Sequence, residues 1–142
     1  MRKQSISVTV DAVVFKKEKT ESLIVLIRRK NPPFQDQWAL PGGFVENDED
    51  LETAAKRELR EETGIDLSSC EQLYTFGKPK RDPRGRTISI VYVGFAKPLD
   101  QPVAADDAKE AKWFAIDKLP ELAFDHQEII SLAISRFLPN LP

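Results

Sequence analysis

GGFVENDEDLETAAKRELREETGI, residues Gly42 to Ile65, opens on a glycine pair, passes through acidic residues and ends in a helix-like run with Glu58, Glu61 and Glu62 inside five positions. The run predicts a helix that starts near Asp48 or Glu49 and stops at Gly64, a residue suited to a left-handed cap. At roughly 100° per residue, Leu51, Ala55, Glu58 and Glu62 fall within about 60° of one another. Ala54 and Leu59 flank that stripe, Lys56 and Arg60 take the opposite side, and Glu61 lies at its rim. A charge run on a helix is ordinarily a solvated face with Glu and Lys spaced for pairing. Here two carboxylates share the apolar face, where they repel each other, near the negative end of the helix dipole. A bound cation resolves that conflict. Crowded oxygen ligands suit a hard ion such as Mg²⁺ or Mn²⁺, held by a few carboxylates together with substrate phosphates. Arg57, just before Glu58, is placed either to orient a ligand carboxylate or to be an ordinary surface arginine.

Outward from this stretch the chain reads as strands. Ile6 to Phe15, ISVTVDAVVF, alternates and then becomes continuously apolar, and Leu23 to Ile27, LIVLI, is a short β-branched run. The polar KKEKTES between them predicts a hairpin or neighbouring pair. NPPFQDQWALPGG is too rich in proline and glycine for a continuous helix and predicts a structured loop around Trp38 to Leu40. Beyond the helix, strands are expected near Gln72 to Phe76, Thr87 to Phe95 and Ala111 to Ile116, with GKPKRDPRGR as the loop between the first two. Asp125 to Leu138 carries apolar residues at helical spacing, with Asp125 at its N-cap. Strands with an inserted helix and a terminal helix suggest an α/β sandwich with a mixed sheet.

The bulk properties narrow the function classes. A chain of 142 residues fits one domain, and 41% hydrophobic against 31% charged residues is too apolar for a disordered chain. With 21 basic and 23 acidic side chains the net charge is −2, so no overall field recruits nucleic acid. No stretch approaches the roughly 20 apolar residues of a membrane span, and no signal peptide is evident, so the expectation is a cytoplasmic protein without membrane or nucleic-acid partners. Cys70 and His126 are the sole residues of their kinds, which excludes an internal disulfide and a cysteine-rich zinc site. Chemistry is expected from carboxylates.

The opening stretch resembles the Nudix box, G-x5-E-x7-R-E-U-x-E-E-x-G-U with U apolar, at Gly43, Glu49, Arg57, Glu58, Leu59, Glu61, Glu62, Gly64 and Ile65. The resemblance implies an α/β/α sandwich with a mixed β-sheet, residues 1–142 forming a single domain, and metal-dependent phosphoanhydride chemistry. It makes Glu58 and Glu62 metal ligands, Glu61 a ligand or base, and Arg57 the residue that orients them. A backbone carbonyl near Gly42 or Gly43, taken as Gly43, joins the metal shell, and Glu49 contacts Arg57. The match extends through RRKNPPFQDQWALPGGFVE, LYTFGKPKRDPRGR with the following strand, and LAFDHQEII, which look like the ADP-ribose pyrophosphatase branch. Pro79 lies 15 residues beyond Gly64, near that branch's diagnostic proline.

Hydrolysis of ADP-ribose to AMP and ribose 5-phosphate is therefore the expected reaction, with a homodimer implied by the same branch. NADH, a nucleotide sugar or an oxidised nucleoside triphosphate is an alternative substrate. A non-catalytic ADP-ribose-sensing module is the alternative of another class; the intact box and a chain that stops at Pro142 favour the enzyme. Metals neutralise the pyrophosphate and align water for in-line displacement. The base comes from the box, or from the later loop of Asp106, Asp107 and Glu110, where Glu110 is the candidate. Arg81, Arg84 and Arg86 either reach phosphate or ribose or form a solvated loop. Phe44, Tyr92 and Phe124 are stacking partners for a base or core residues, with Phe44 the candidate. His126 either reaches the substrate or, as is more usual for such a residue, serves the structure of the terminal helix.

Overall fold

The computed structural model describes residues 3–139. Strand β1, Ser7–Glu18, is the spine: it is buried on both faces through its middle because it carries apolar residues at successive positions. It runs parallel to β6, Thr87–Phe95, from Ser7↔Thr87 to Phe15↔Phe95, and antiparallel to β2, Glu21–Arg29, at its far end only, from Phe15↔Ile24 to Glu18↔Glu21. Beyond Ile24 the two strands part. The gap is filled by two short strands that the sequence predicts only as a loop: β3, Trp38–Ala39, pairs with β2, while β4, Gly42–Phe44, pairs with β1. β5, Glu71–Phe76, flanks β6, and β7, Ala108–Ala115, lies on the other side of β2. Among the described residues these seven strands form one sheet of mixed direction, as expected.

A helix packs on each face. The period of two along β1 sends Val10, Ala12 and Val14 towards α1, Leu51–Thr63, where they meet Ala54, Ala55 and Leu59. Val13 and Phe15 point the other way, with Ile24, Leu26 and Val91, onto Ile129, Ile130 and Ala133 of α2, His126–Phe137. Asp11 belongs to that second set by alternation, yet it is charged and buried.

Several boundaries differ from the expectation, two of them for clear local reasons, and so does one helix cap. α1 starts at Leu51, not Asp48 or Glu49, because Glu46 to Glu49 close a turn of their own: Glu49 N–H donates to Glu46 O, and Glu46 N–H to Glu49 Oε1. Its end is as read, with Gly64 at φ 76° and its N–H donating to Arg60 O. β7 begins at Ala108, earlier than Ala111, because its ladder with β2 continues to Arg29↔Ala108 across an irregularity at Arg28 and Arg29. Asp125 stands before α2 but makes no side-chain cap bond, since Arg81 takes its carboxylate.

Candidate active site

Where β1 and β2 diverge, a cavity of about 450 Å³ opens among Asp11 of β1, Arg29 at the end of β2, Gly42 to Phe44, α1 and the Arg81 to Arg84 loop. Its acidic wall comes from α1. Helical spacing brings Glu58 and Glu62 to this wall, one turn apart on the face shared with Ala55 and Leu59. Glu62 is 5% exposed and accepts a 2.8 Å bond from Gly42 N–H. Burial pushes its carboxyl up to about 8, and the negative charges of Glu58, Asp107 and Asp11 add to the rise. Glu58 is pushed up for the same first reason, against the pull of Arg57.

Arg57 organises this wall. Its guanidinium donates to both oxygens of Glu49, to Glu58 Oε1 at 2.9 Å, to Glu61 Oε2 at 3.1 Å and to Phe44 O at 3.3 Å. The planar fork thereby joins the loop to the helix and fixes the direction of Glu58. Gly43 must be glycine because a Cβ there would lie 2.6 to 2.8 Å from the Glu58 carboxyl group. Among the described residues no three metal-binding side chains converge into a finished cage. The chemistry of the donors is what fits a divalent cation: buried Glu62 and half-buried Glu58, both carboxyls pushed up, all oxygen, beside a glycine backbone.

The opposite wall is basic and aromatic. Arg84 lies over the rings of Phe44 and Phe124, 4.9 and 5.4 Å from their centroids, and donates to both oxygens of buried Asp82. Arg29, absent from the sequence-based candidates, points over Phe124 at 5.1 Å, with Nε donating to Pro33 O. Burial, then the nearby charge of Arg84, holds its guanidinium below its ordinary value. The cavity thus offers carboxylates on one side and guanidinium groups on the other, suited to an anion that bridges a bound cation and arginine.

The remaining candidates divide. Arg81 lines the cavity, but its guanidinium is committed to Asp125 through bonds of 2.8 and 2.6 Å. Arg86 is exposed and does not line the cavity. Neither does Glu61, which is half exposed and joins the site only through Arg57. Glu110 is not brought to the cavity: it faces out of β7 and pairs with Arg28 at 2.9 Å, and Asp107, two residues before Lys109, takes its place on the wall. The irregularity that pairs Arg28 with Glu110 but Arg29 with Ala108 breaks the alternation here, so Glu110 is exposed although Ala108 is buried, and Asp107 stays in the loop ahead. Phe44 is 47% exposed at the mouth, whereas Tyr92 is core. His126 is 4% exposed, with Nδ1 accepting from Leu40 N–H at 3.0 Å, so it anchors the loop ahead of Gly42 and still lines the cavity. The signal that could have found Asp11 is a single charge inside the apolar run VTVDAVVF.

Comparison with known proteins agrees with this construction. The family model described as NUDIX domain matches residues 6–133. An ADP-ribose pyrophosphatase of Methanocaldococcus jannaschii is 47% identical over 128 residues, covering 87% of this chain and 70% of its own length. The ADPR-responsive transcriptional repressor NtrR of Acinetobacter baylyi is 36% identical over 132 residues, covering 90% of this chain and 53% of its own. A bifunctional NMN adenylyltransferase/ADP ribose pyrophosphatase from Francisella tularensis, solved with AMP and a manganese ion, superposes with a TM-score of 0.84 at 35% identity, covering 96% of this chain and 43% of that one. The box residues, the sheet split that opens the cavity and the family match over most of its length agree: the chain belongs to the Nudix family.

Proposed function

We propose that residues 1–142 act as one Nudix hydrolase domain that cleaves ADP-ribose to AMP and ribose 5-phosphate. The observation that carries this is the two-walled cavity, with Glu58 and Glu62 on one side and Arg29 and Arg84 on the other. Glu58 and Glu62, together with the Gly43 carbonyl, would hold Mg²⁺ or Mn²⁺. The cation, when bound, supplies charge neutralisation for the pyrophosphate oxygens. Arg57 keeps Glu58 directed while Arg29 and Arg84 receive phosphate oxygens in the forked geometry guanidinium favours. Asp107 takes the proton of the attacking water; one P–O bond forms, the bridging P–O bond breaks, and the leaving phosphate departs as an anion.

The likeness to an ADP-ribose pyrophosphatase supports the substrate, and the likeness to an ADPR-responsive repressor supports a second reading, a sensor that binds ADP-ribose without turnover. Among the described residues no helix is long and apolar enough to cross a membrane. A cytoplasmic homodimer that acts on the free nucleotide without nucleic acid completes the proposal. Incubation with Mg²⁺ and a panel of ADP-ribose, NADH, nucleotide sugars and oxidised nucleoside triphosphates, scored for nucleotide release, tests it. AMP release fastest from ADP-ribose is expected. Binding of ADP-ribose with no turnover of any member would establish the sensor instead.

A further inference from the structure

Asp11 and His126 face each other across the cavity wall without bonding. Asp11 is 8% exposed, and its Oδ2 accepts a hydrogen bond from the hydroxyl of fully buried Ser89. Oδ1 accepts no hydrogen bond among the described residues; His126 Nε2 lies 3.9 Å from it, too far for one. The histidine's tautomer is fixed by its other nitrogen: Nδ1 accepts from Leu40 N–H, so in the neutral ring the hydrogen is on Nε2, towards Asp11. Burial keeps the ring neutral. Gly42 packs against the other side, so closely that a Cβ there would come within 2.3 Å of Asp11 Oδ1.

A fixed acceptor and a fixed donor therefore stand 3.9 Å apart on the cavity wall, and one oxygen in the cavity, beside the line that joins them, can lie about 2.8 Å from each. The group that satisfies both is a hydroxyl, donating its hydrogen to Asp11 Oδ1 and accepting from His126 Nε2–H. A phosphate oxygen is repelled by the carboxylate, and a cation by the imidazole N–H. We propose that Asp11 and His126 read one sugar hydroxyl of the nucleotide ligand, a specificity role separate from the metal wall. The proposal rests on the nucleotide reading given above and names which part of that ligand meets this wall.

Calorimetry in the presence of EDTA, with the intact chain, tests it without turnover. Binding of ADP-ribose is compared with that of analogues lacking, one at a time, the hydroxyls of either ribose. In the native protein removal of the read hydroxyl weakens binding about 10- to 100-fold, because the two buried groups are left unpaired. Asp11→Asn keeps the shape and the Ser89 partner but presents an amide to Nε2–H. His126→Asn keeps an acceptor for Leu40 N–H and removes the donor. In each variant, with folding verified by thermal unfolding, the penalty for the missing hydroxyl should shrink to within about threefold. An unchanged penalty in both variants, or no analogue weaker than ADP-ribose, overturns the hydroxyl site and assigns the space to a fixed water. Failure of the native protein to bind any nucleoside diphosphate derivative overturns the function itself, and this site with it.

Discussion

Arg57 shows how much one side chain can determine here, since its guanidinium reaches Glu49, Glu58, Glu61 and the Phe44 carbonyl at once. A lysine carries the charge but only one nitrogen, so Arg57→Lys should leave the fold intact and misplace Glu58. A loss of about 100-fold in kcat is expected, since ligand misplacement of about 1 Å has that effect. Steady-state kinetics with Mg²⁺ checks it; full activity would remove the orienting role. The same assay separates the two base candidates. Asp107→Asn should lower kcat by about 10² to 10⁴, whereas Glu110→Gln, outside the cavity and paired with Arg28, should stay near the parent value. The residues of the acidic wall were legible in sequence because helical spacing alone brings Glu58 and Glu62 together. Asp107 was named only as one of three acids in its loop, and Arg29 and Asp82 were not seen, because their meeting depends on where separate loops converge and Arg29 is one of two adjacent arginines that differ only in which side of β2 they take.

Among the elements, α1 was read correctly at its end and too early at its start for one physical reason: Gly64 is a local signal, while the turn from Glu46 to Glu49 competes with the helix for the same residues. At Gly64 a Cβ would meet nothing within 4 Å, so Gly64→Ala isolates the backbone effect of a left-handed φ. A loss of about 1 kcal/mol is expected in urea unfolding. α2 is tied to the loop ahead of β4 by His126, and that tie requires neutral imidazole. Burial lowers the His126 pKa below its ordinary 6.5, with Asp11 and Asp125 pulling the other way. A base whose folded pKa is depressed favours the unfolded state as pH falls, so stability present above about 6.5 is lost progressively below it. Burial pushes Glu62 up to about 8, so it adds stability as pH falls across the same window, and the test of His126 is the difference between proteins: from pH 7 to pH 5 the urea midpoint of His126→Asn should rise relative to that of the native protein, and equal slopes would deny His126 that part. β3 and β4 escaped the sequence reading because each is too short to show alternation and lies among prolines and glycines.

For the whole molecule, the sandwich was legible because long strands and helices carry their own periodicity, but the sheet split was not, since no local pattern says where two paired strands separate. The acidic wall links site to stability. Buried Glu62 and half-buried Glu58, both pushed up in pKa, disfavour the fold without a cation, so Mg²⁺ at about 100 times its Kd should stabilise it by about 2.7 kcal/mol, a rise in Tm of about 10 °C. Glu62→Gln should abolish most of that rise while removing activity; an unaltered rise would place the cation elsewhere. The parting of β1 from β2 has a further effect on motion. β6 is held along β1 by nine aligned residues, but β3 and β4 by only two and three. Segments with so few ladder bonds open far more often than the strands beside them. Deuterium should therefore enter the amides of Trp38 to Phe44 well before those of Ile90 to Val93, and the cavity mouth can breathe to admit and release nucleotide while the spine of the sheet stays closed.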